Sequence, residues 1–221
     1  MSGYSNRELS MELAAATLRG VLRLPRDAYG LVLFAHGSGS SRLSPRNNYV
    51  AERLSEAGLA TVLFDLLTAG EEHQDALTGE LRFDVSLLTD RLRAATAWMR
   101  KQPELRQLQV GYFGASTGAA AALCAAAREP EIRAVVSRGG RPDLAGSALA
   151  EVSAPTLLIV GGYDRDVLAL NRGALARMRC EARLEVVPNA THLFSEPGTL
   201  EQAASLATQW FELHLGVPRR T

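Results

Sequence analysis

Short, unbroken apolar runs recur along the chain and alternate with longer segments in which apolar residues return every three or four positions. Such runs predict strands that are covered on both faces; they span residues 31–35, 59–64, 108–113, 132–137, 156–160 and 184–187. Helical spacing in the intervening segments predicts helices over residues 47–57, 84–101, 166–179 and 199–215. This alternation predicts the α/β class, with a mainly parallel central sheet and helices on both faces.

Two segments do not follow this rule. Residues 1–10 are polar and are expected to be loosely ordered. Residues 12–24 alternate loosely, with Arg19-Gly20 in the middle, and predict two short antiparallel strands on either side of that dipeptide. Residues 68–83 show little periodicity and contain Gly70 and Gly79, so we expect a long loop there. No linker or internal repeat divides the sequence, and residues 1–221 are expected to form a single domain.

Composition narrows the class of protein. Apolar residues make up 47% of the 221, enough for a sizeable core, and 24 basic residues balance 24 acidic ones. A chain with no net charge and no basic stripe is not expected to bind nucleic acid. We find no signal-peptide pattern and no run near the ~18 apolar residues of a membrane helix, so we expect a cytoplasmic protein without a membrane partner. Cys124 and Cys180 match neither a disulfide framework nor a zinc pattern.

Polar residues with reactive side chains come directly after the predicted strands. The carboxyl ends of parallel strands meet at one edge of the sheet, where open α/β folds bind their ligands. We therefore expect these side chains to lie close together. They are His36, Asp65, Ser116, Arg138, Asp164 and His192.

Gly114-Ala115-Ser116-Thr117-Gly118 joins the strand at residues 108–113 to an alanine-rich helical run. A serine at the apex of such a turn is strained, and the residues two before and two after it must lack bulk. Ser116 is therefore the candidate nucleophile. The helix that follows would bring free N–H groups near a developing negative charge. The alternative is a tight turn that uses glycine and serine for geometry alone.

A serine hydroxyl needs a base to remove its proton during attack. His192 lies in a loop before the last helix, from which it can reach over the sheet edge, and is the candidate base. His36 is the alternative, although we expect it to brace the glycine turn that follows it. His73 and His214 are expected to face solvent.

The base needs an acid that holds its tautomer and stabilises the imidazolium. Asp164 follows the strand at residues 156–160 and is the candidate. Asp166, which is better placed as a helix cap, and Asp143 are alternatives. The order Ser116, Asp164, His192 is the one that α/β-hydrolases use.

The chain resembles the α/β-hydrolases, and most closely their dienelactone hydrolase-like branch. The matching motifs are His36-Gly37-Ser38-Gly39, Gly114-Ala115-Ser116-Thr117-Gly118, Gly162-Tyr163-Asp164 and Thr191-His192. The resemblance implies an α/β-hydrolase fold in minimal form, without an inserted cap domain. It also implies an oxyanion hole made by the backbone N–H groups of Thr117 and Ser38, or less readily Gly39.

One residue departs from that branch. Dienelactone hydrolases proper use a cysteine nucleophile, whereas this chain has Ser116. The resemblance therefore implies the fold and ester chemistry, but not the dienelactone substrate.

Other residues near the strand ends could contact the substrate. Arg138 and Arg141 could hold a carboxylate or phosphate, although an ion pair with Asp143 or a neighbouring acid is the favoured reading. Gly39 is a further candidate contact. The segment at residues 68–83 could overhang the pocket. Its acidic residues and His73 lack a recognised metal-ligand spacing, and we expect neither a metal nor an organic cofactor.

These observations predict a serine hydrolase that cleaves a small carboxylic ester, lactone or thioester through an acyl-enzyme on Ser116. One alternative is an acyltransferase or a cofactor-free perhydrolase of the haloperoxidase type that uses the same triad. Another is a binding protein that retains the fold without turnover. The expected partner is a small ester-type molecule, and either a monomer or a homodimer is compatible with the sequence.

Overall fold

A computed structural model describes residues 3–216 and is built on one eight-stranded sheet. The strand order is β1-β2-β4-β3-β5-β6-β7-β8. Strands β3 to β8 run parallel, and β2 is antiparallel to both β1 and β4. The strands are β1 (Tyr4–Glu12), β2 (Thr17–Pro25), β3 (Gly30–Ala35), β4 (Leu59–Phe64), β5 (Gln109–Ala115), β6 (Ile132–Arg138), β7 (Thr156–Gly161) and β8 (Ala182–Val187). The predicted α/β class and mainly parallel sheet are confirmed.

Helices cover both faces of the sheet, and each helical layer buries a separate apolar cluster against the sheet. One face is covered by α1 and α6, and the other by α3, α4 and α5. The helices are α1 (Pro45–Glu56), α2 (Ala69–Thr78), α3 (Val85–Met99), α4 (Gly118–Arg128), α5 (Arg165–Leu175) and α6 (Thr199–Leu215). Two 3₁₀ segments, Leu81–Phe83 and Pro142–Ala150, complete the fold.

The predicted pair of antiparallel strands is present, but its bounds and the loose order expected near the N-terminus are wrong. Residues expected to be loosely ordered form β1 from Tyr4 onward, and β2 continues through residues 19 and 20 without a turn. The turn lies between the two strands, where Leu13 N–H donates to Ala16 O at 2.9 Å. Gly20 allows close packing within the sheet, since a Cβ there would lie 3.1 Å from Leu63 O. Residues 1, 2 and 217–221 lie outside the described residues.

The loop expected over residues 68–83 is also wrong, because most of it is helix α2. A capping box begins the helix: Glu71 N–H donates to the Thr68 hydroxyl at 3.2 Å, and Thr68 N–H donates to the Glu71 carboxylate at 2.7 Å. Gly79 ends it in the left-handed conformation, with a φ of 70°. Short polar helices of this kind lack apolar periodicity, so only their capping residues mark them in the sequence.

No domain interrupts the sheet between β6 and β7. The connection over residues 139–155 contains only the 3₁₀ segment Pro142–Ala150. The minimal form of the fold is therefore confirmed. Within residues 3–216, the helices are all too short or too polar to cross a bilayer.

Candidate active site

Ser116 lies at the turn between β5 and α4, with a φ of 51°. This left-handed conformation costs a non-glycine residue about 1–3 kcal/mol, so the surroundings must hold it. Ser116 N–H donates to Arg138 O at 3.2 Å, and Ser116 O accepts from the N–H groups of Ala119 and Arg141 at 3.1 and 3.0 Å. These bonds fix the serine to α4 and to the end of β6.

The turn requires glycine on both sides of Ser116, as predicted. A Cβ on Gly114 would lie 2.4 Å from Ala119 Cα, and one on Gly118 would lie 2.2 Å from Ala35 O. Both separations are far below van der Waals contact. The absence of these side chains lets α4 pack closely against β5 and the end of β3.

His192 lies on the loop after β8, and its Nδ1 is 2.6 Å from Asp164 Oδ2. The Asp164 side chain is 13% exposed, and that of His192 is 38% exposed. A carboxylate at Nδ1 holds the proton on that nitrogen and leaves Nε2 as the basic one. Among the described residues, Ser116 Oγ has no hydrogen-bond partner, but Ser116 and His192 line the same cavity. Catalytic hydrogen bonds are often completed only when substrate binds.

His36 cannot replace His192, because both of its ring nitrogens are used in the fold. Its Nδ1–H donates to Gly37 O at 3.0 Å, and its Nε2 accepts the Leu66 N–H at 3.1 Å. Burial lowers the pKa of His36, against smaller opposing effects of Gly37 O and Asp65, so the ring stays neutral. The expectation that His36 braces the glycine turn is confirmed.

The two other histidines lie away from this cavity. His73 is exposed on α2, as predicted. His214 is not solvent-facing as predicted: its ring packs 4.4 Å from that of Trp210, and its side chain is 13% exposed.

Within residues 3–216, neither alternative acid forms a hydrogen bond or ion pair with His192. Asp143 accepts two hydrogen bonds from Arg141, at 2.9 and 2.8 Å, and Asp166 is exposed in the first turn of α5. The ion pair with Asp143 therefore belongs to Arg141. The favoured expectation of an ion pair for Arg138 is wrong.

Arg138 instead lies buried in the wall of the cavity, with 7% of its surface exposed. Its Nη2 donates to Asn47 Oδ1 at 3.1 Å, and its guanidinium carbon lies 5.7 Å from the centre of the Phe194 ring. Within residues 3–216, its Nε and Nη1 have no hydrogen-bond partner. Burial, with a further contribution from Arg46, lowers the pKa of Arg138 to about 10, so the side chain still carries its charge at neutral pH.

The two predicted oxyanion donors differ in their hydrogen bonds. Thr117 N–H has no acceptor in the described part of the chain. Ser38 N–H is not free as predicted, because it donates to Thr117 Oγ1 at 2.8 Å. This bond nonetheless directs Ser38 N–H at the nucleophile turn. Gly39, the alternative, has a φ of 69° and lines only a neighbouring cavity.

Two adjoining cavities open at this sheet edge. The smaller, of about 230 Å³, contains Ser116, His192 and Arg138 in its wall. The larger, of about 580 Å³, is lined in part by residues of the segment at 68–83, which therefore overhangs a cavity as expected. The residues common to both cavities are Gly37, Ser38, Ser40, Ser44 and Arg46.

Arg46 and Asn47 line the smaller cavity but were not predicted from sequence. Both lie in the first turn of α1, which Ser44 caps by accepting the Asn47 N–H at 3.3 Å. Ser44-Pro45 signals the start of a helix. No sequence pattern shows that this turn meets the end of β6, since that contact depends on how α1 packs across the sheet.

Comparison with known proteins agrees with this geometry. The profile of the dienelactone hydrolase family matches residues 18–214. The crystal structure of a dienelactone hydrolase from Anabaena variabilis superposes with a TM-score of 0.94 at 56% identity, covering 96% of this chain and 99% of that one. Est1E from Butyrivibrio proteoclasticus, at 15% identity, shares the fold with a TM-score of 0.76 over 92% of this chain and 97% of that one.

Two curated relatives, from two strains of Mycobacterium tuberculosis, carry a different name. Each is provisionally named a phosphoribosyl transferase and is 56% identical over 215 residues, which cover 96% of this chain and 47% of the relative. The chain thus spans about half the length of these relatives.

Proposed function

We propose that this chain, a member of the dienelactone hydrolase family, is an ester-acting hydrolase that cleaves a small carboxylic ester, lactone or thioester through an acyl-enzyme on Ser116. One observation carries the proposal. The strained Ser116 shares a cavity with His192, whose Nδ1 is held 2.6 Å from a largely buried Asp164 carboxylate. That arrangement supplies a nucleophile, a base with a free Nε2 and an orienting acid.

In the proposed reaction, Ser116 Oγ attacks the substrate carbonyl carbon while His192 Nε2 takes the hydroxyl proton. Asp164 stabilises the imidazolium that forms. The tetrahedral intermediate collapses as His192 donates that proton to the leaving oxygen or sulfur, which departs as an alcohol or thiol. Water, deprotonated by the same Nε2, then attacks the acyl-enzyme and releases the acid and Ser116.

The proposed oxyanion donors are Thr117 N–H and Ser38 N–H. The first is unpaired, and the second exchanges Thr117 Oγ1 for the substrate oxygen. An oxyanion is a stronger acceptor than a neutral hydroxyl, which favours this exchange. Ser38 lines the cavity of Ser116, whereas Gly39 does not, which favours Ser38 as the second donor.

The name of the mycobacterial relatives describes proteins about twice as long as the segment they share with this chain. This chain contains the serine, histidine and aspartate described above. For this chain we therefore propose ester hydrolysis and not phosphoribosyl transfer.

Kinetics on short-chain p-nitrophenyl esters test the proposal. We expect Ser116→Ala to lower kcat/KM by at least roughly 10⁴-fold, because it removes the only atom that forms the covalent intermediate. Ser205→Ala, at an exposed serine on α6, is the matched control and should keep activity within twofold of the parent.

Equal activity of the Ser116→Ala and Ser205→Ala proteins would overturn the assignment. Product analysis in the presence of a competing alcohol or peroxide completes the test. We expect the free carboxylic acid as the main product. A new ester or peracid as the main product would mean that an alcohol or peroxide, and not water, accepts the acyl group.

A further inference from the structure

The smaller cavity is lined by two arginines that form no ion pair with any carboxylate of residues 3–216. Arg46 is half-buried, lines the cavity with Arg138, and has no ion pair or hydrogen bond from its side chain within residues 3–216. Arg138 is buried, and two of its nitrogens have no partner in the described chain. Other arginines near this edge do have carboxylate partners, in the pairs Arg42–Asp65, Arg82–Asp75 and Arg91–Glu71.

This arrangement costs free energy unless an anion enters it. The charge of Arg46 disfavours the charged form of Arg138, and burial removes the water that would otherwise solvate that guanidinium. Unpaired N–H groups of a buried cation add a desolvation cost of their own. A ligand that brings negative charge between the two guanidinium groups would relieve all of these costs together.

We propose that Arg46 and Arg138 bind a phosphate monoester group carried by the substrate. Two positive charges that form no ion pair within residues 3–216 match the dianion that a phosphate monoester forms at neutral pH. Ser40 is half-buried in the same wall, and its hydroxyl forms no hydrogen bond within residues 3–216, so it can donate to a third phosphate oxygen. The positive end of α1, at Pro45 and Arg46, adds to the field at this point.

The assignment rests on the hydrolase function proposed above, since it names a substituent of the substrate for that same site. Arg138 is joined to the reaction centre through its backbone, whose carbonyl accepts the Ser116 N–H. A phosphate held there fixes the substrate beside the nucleophile. The two arginines are therefore positioned to select the substrate and not to take part in proton transfer.

Binding of inorganic phosphate to the Ser116→Ala protein tests the arginines without turnover. We expect Arg46→Gln or Arg138→Gln, each added to that background, to weaken phosphate binding about tenfold to hundredfold by calorimetry. Binding should also weaken as the pH falls below neutral, because inorganic phosphate then loses its second charge. The matched control is Arg133→Gln, which removes an exposed arginine at the other end of β6.

Kinetics on matched esters test the substrate class. The series compares 4-acetoxyphenyl phosphate and phenyl 3-phosphonopropanoate, which carry the anion on the alcohol and acyl parts, with carboxylate and neutral analogues. We expect either the phosphate ester or the phosphonate ester to exceed its neutral analogue in kcat/KM by at least tenfold. Arg46→Gln should bring that ratio of kcat/KM values close to one.

The outcomes separate the two proposals. If the parent protein hydrolyses none of the esters, the proposed hydrolase function is wrong. Phosphate binding by the arginine variants would still test the phosphate site. Equal rates for charged and neutral esters, or a preference for the carboxylates, would overturn the phosphate site. If Arg138→Gln does not fold, Arg138→Lys and the more exposed Arg46→Gln give the same comparison.

Discussion

His36 and His192 lie at the same sheet edge, but their surroundings give the two rings different chemistry. Both nitrogens of His36 are bonded to the backbone, and burial lowers its pKa. His192 is bonded at Nδ1 alone, to Asp164, and the rest of its ring faces the cavity that contains Ser116. Only the ring with a free nitrogen can exchange a proton with a bound substrate.

The substitution Asp164→Asn tests the role of Asp164 in orienting His192, because the imidazole itself is kept. An amide in place of the carboxylate can donate to Nδ1, which favours the tautomer with its proton on Nε2. We expect kcat to fall about 10⁴-fold with little change in KM or in thermal stability. Asp166→Asn, at an exposed position in the first turn of α5, is the control and should retain kcat. A loss shared equally by both variants would place the effect on α5 as a whole.

His36 predicts a pH dependence of stability. Its ordinary pKa is 6.5, and burial lowers this value in the folded chain. The unfolded chain therefore takes up the proton first, so folding stability falls as the pH drops below about 6.5. The contribution of one proton cannot exceed about 1.4 kcal/mol per pH unit.

Urea unfolding between pH 7.5 and 5 measures this slope. We expect it to become shallower in His36→Gln, while the control His73→Gln, at an exposed position of α2, should keep the parent slope. The same slope in His36→Gln and the parent would assign the acid sensitivity to other groups.

At the scale of elements, the junction of β5 and α4 depends on two glycines, which have no side chain to separate the helix from the sheet. The helix packs against β5 and the end of β3 because Gly114 and Gly118 leave room for the backbone of Ala119 and Ala35. The alanines of α4 are buried along most of its length, which keeps the helix close to the sheet. The position of Ser116 follows from this close packing.

A pair of glycine substitutions tests this packing. We expect Gly118→Ala to destabilise the protein by about 2–4 kcal/mol, because the new methyl group meets the Ala35 carbonyl. Gly173→Ala, in α5, meets no atom within 4 Å and should stabilise the protein by up to about 1 kcal/mol. Chemical denaturation of both variants measures the sign of each change in the free energy of unfolding. No change in that free energy for Gly118→Ala would contradict the packing of α4 against β3.

Elements with a strong periodic pattern could be predicted, and elements defined by local bonds could not. The apolar runs located β3 to β8, and the spacing of α6 gave its bounds, Thr199–Leu215. Helix α2 has few buried residues and depends on the capping box of Thr68 and Glu71, a signal that apolar periodicity does not contain. The hairpin turn was predicted at the wrong position because Gly20 interrupts the alternation of apolar and polar residues within β2. A glycine is present there because β2 packs closely against β4.

At the scale of the whole molecule, the parallel sheet brings distant residues to one edge. Ser116, Asp164 and His192 follow β5, β7 and β8, and their meeting could be predicted because parallel strands share a carboxyl edge. The placement of Arg46 could not be predicted, since it depends on how α1 packs across the sheet. The pairing of Arg141 with Asp143 agrees with the ion pair favoured from sequence, whereas the lack of a carboxylate partner for Arg138 within residues 3–216 became visible only in three dimensions.

Labelling with a fluorophosphonate, followed by peptide mapping, measures most directly whether Ser116 is the nucleophile. We expect one adduct per chain, on the peptide that contains Ser116, in the parent and in Ser205→Ala. Labelling should be abolished in Ser116→Ala and strongly slowed in Asp164→Asn. An unlabelled parent protein, or an adduct that persists in Ser116→Ala, would contradict the proposed acyl-enzyme mechanism.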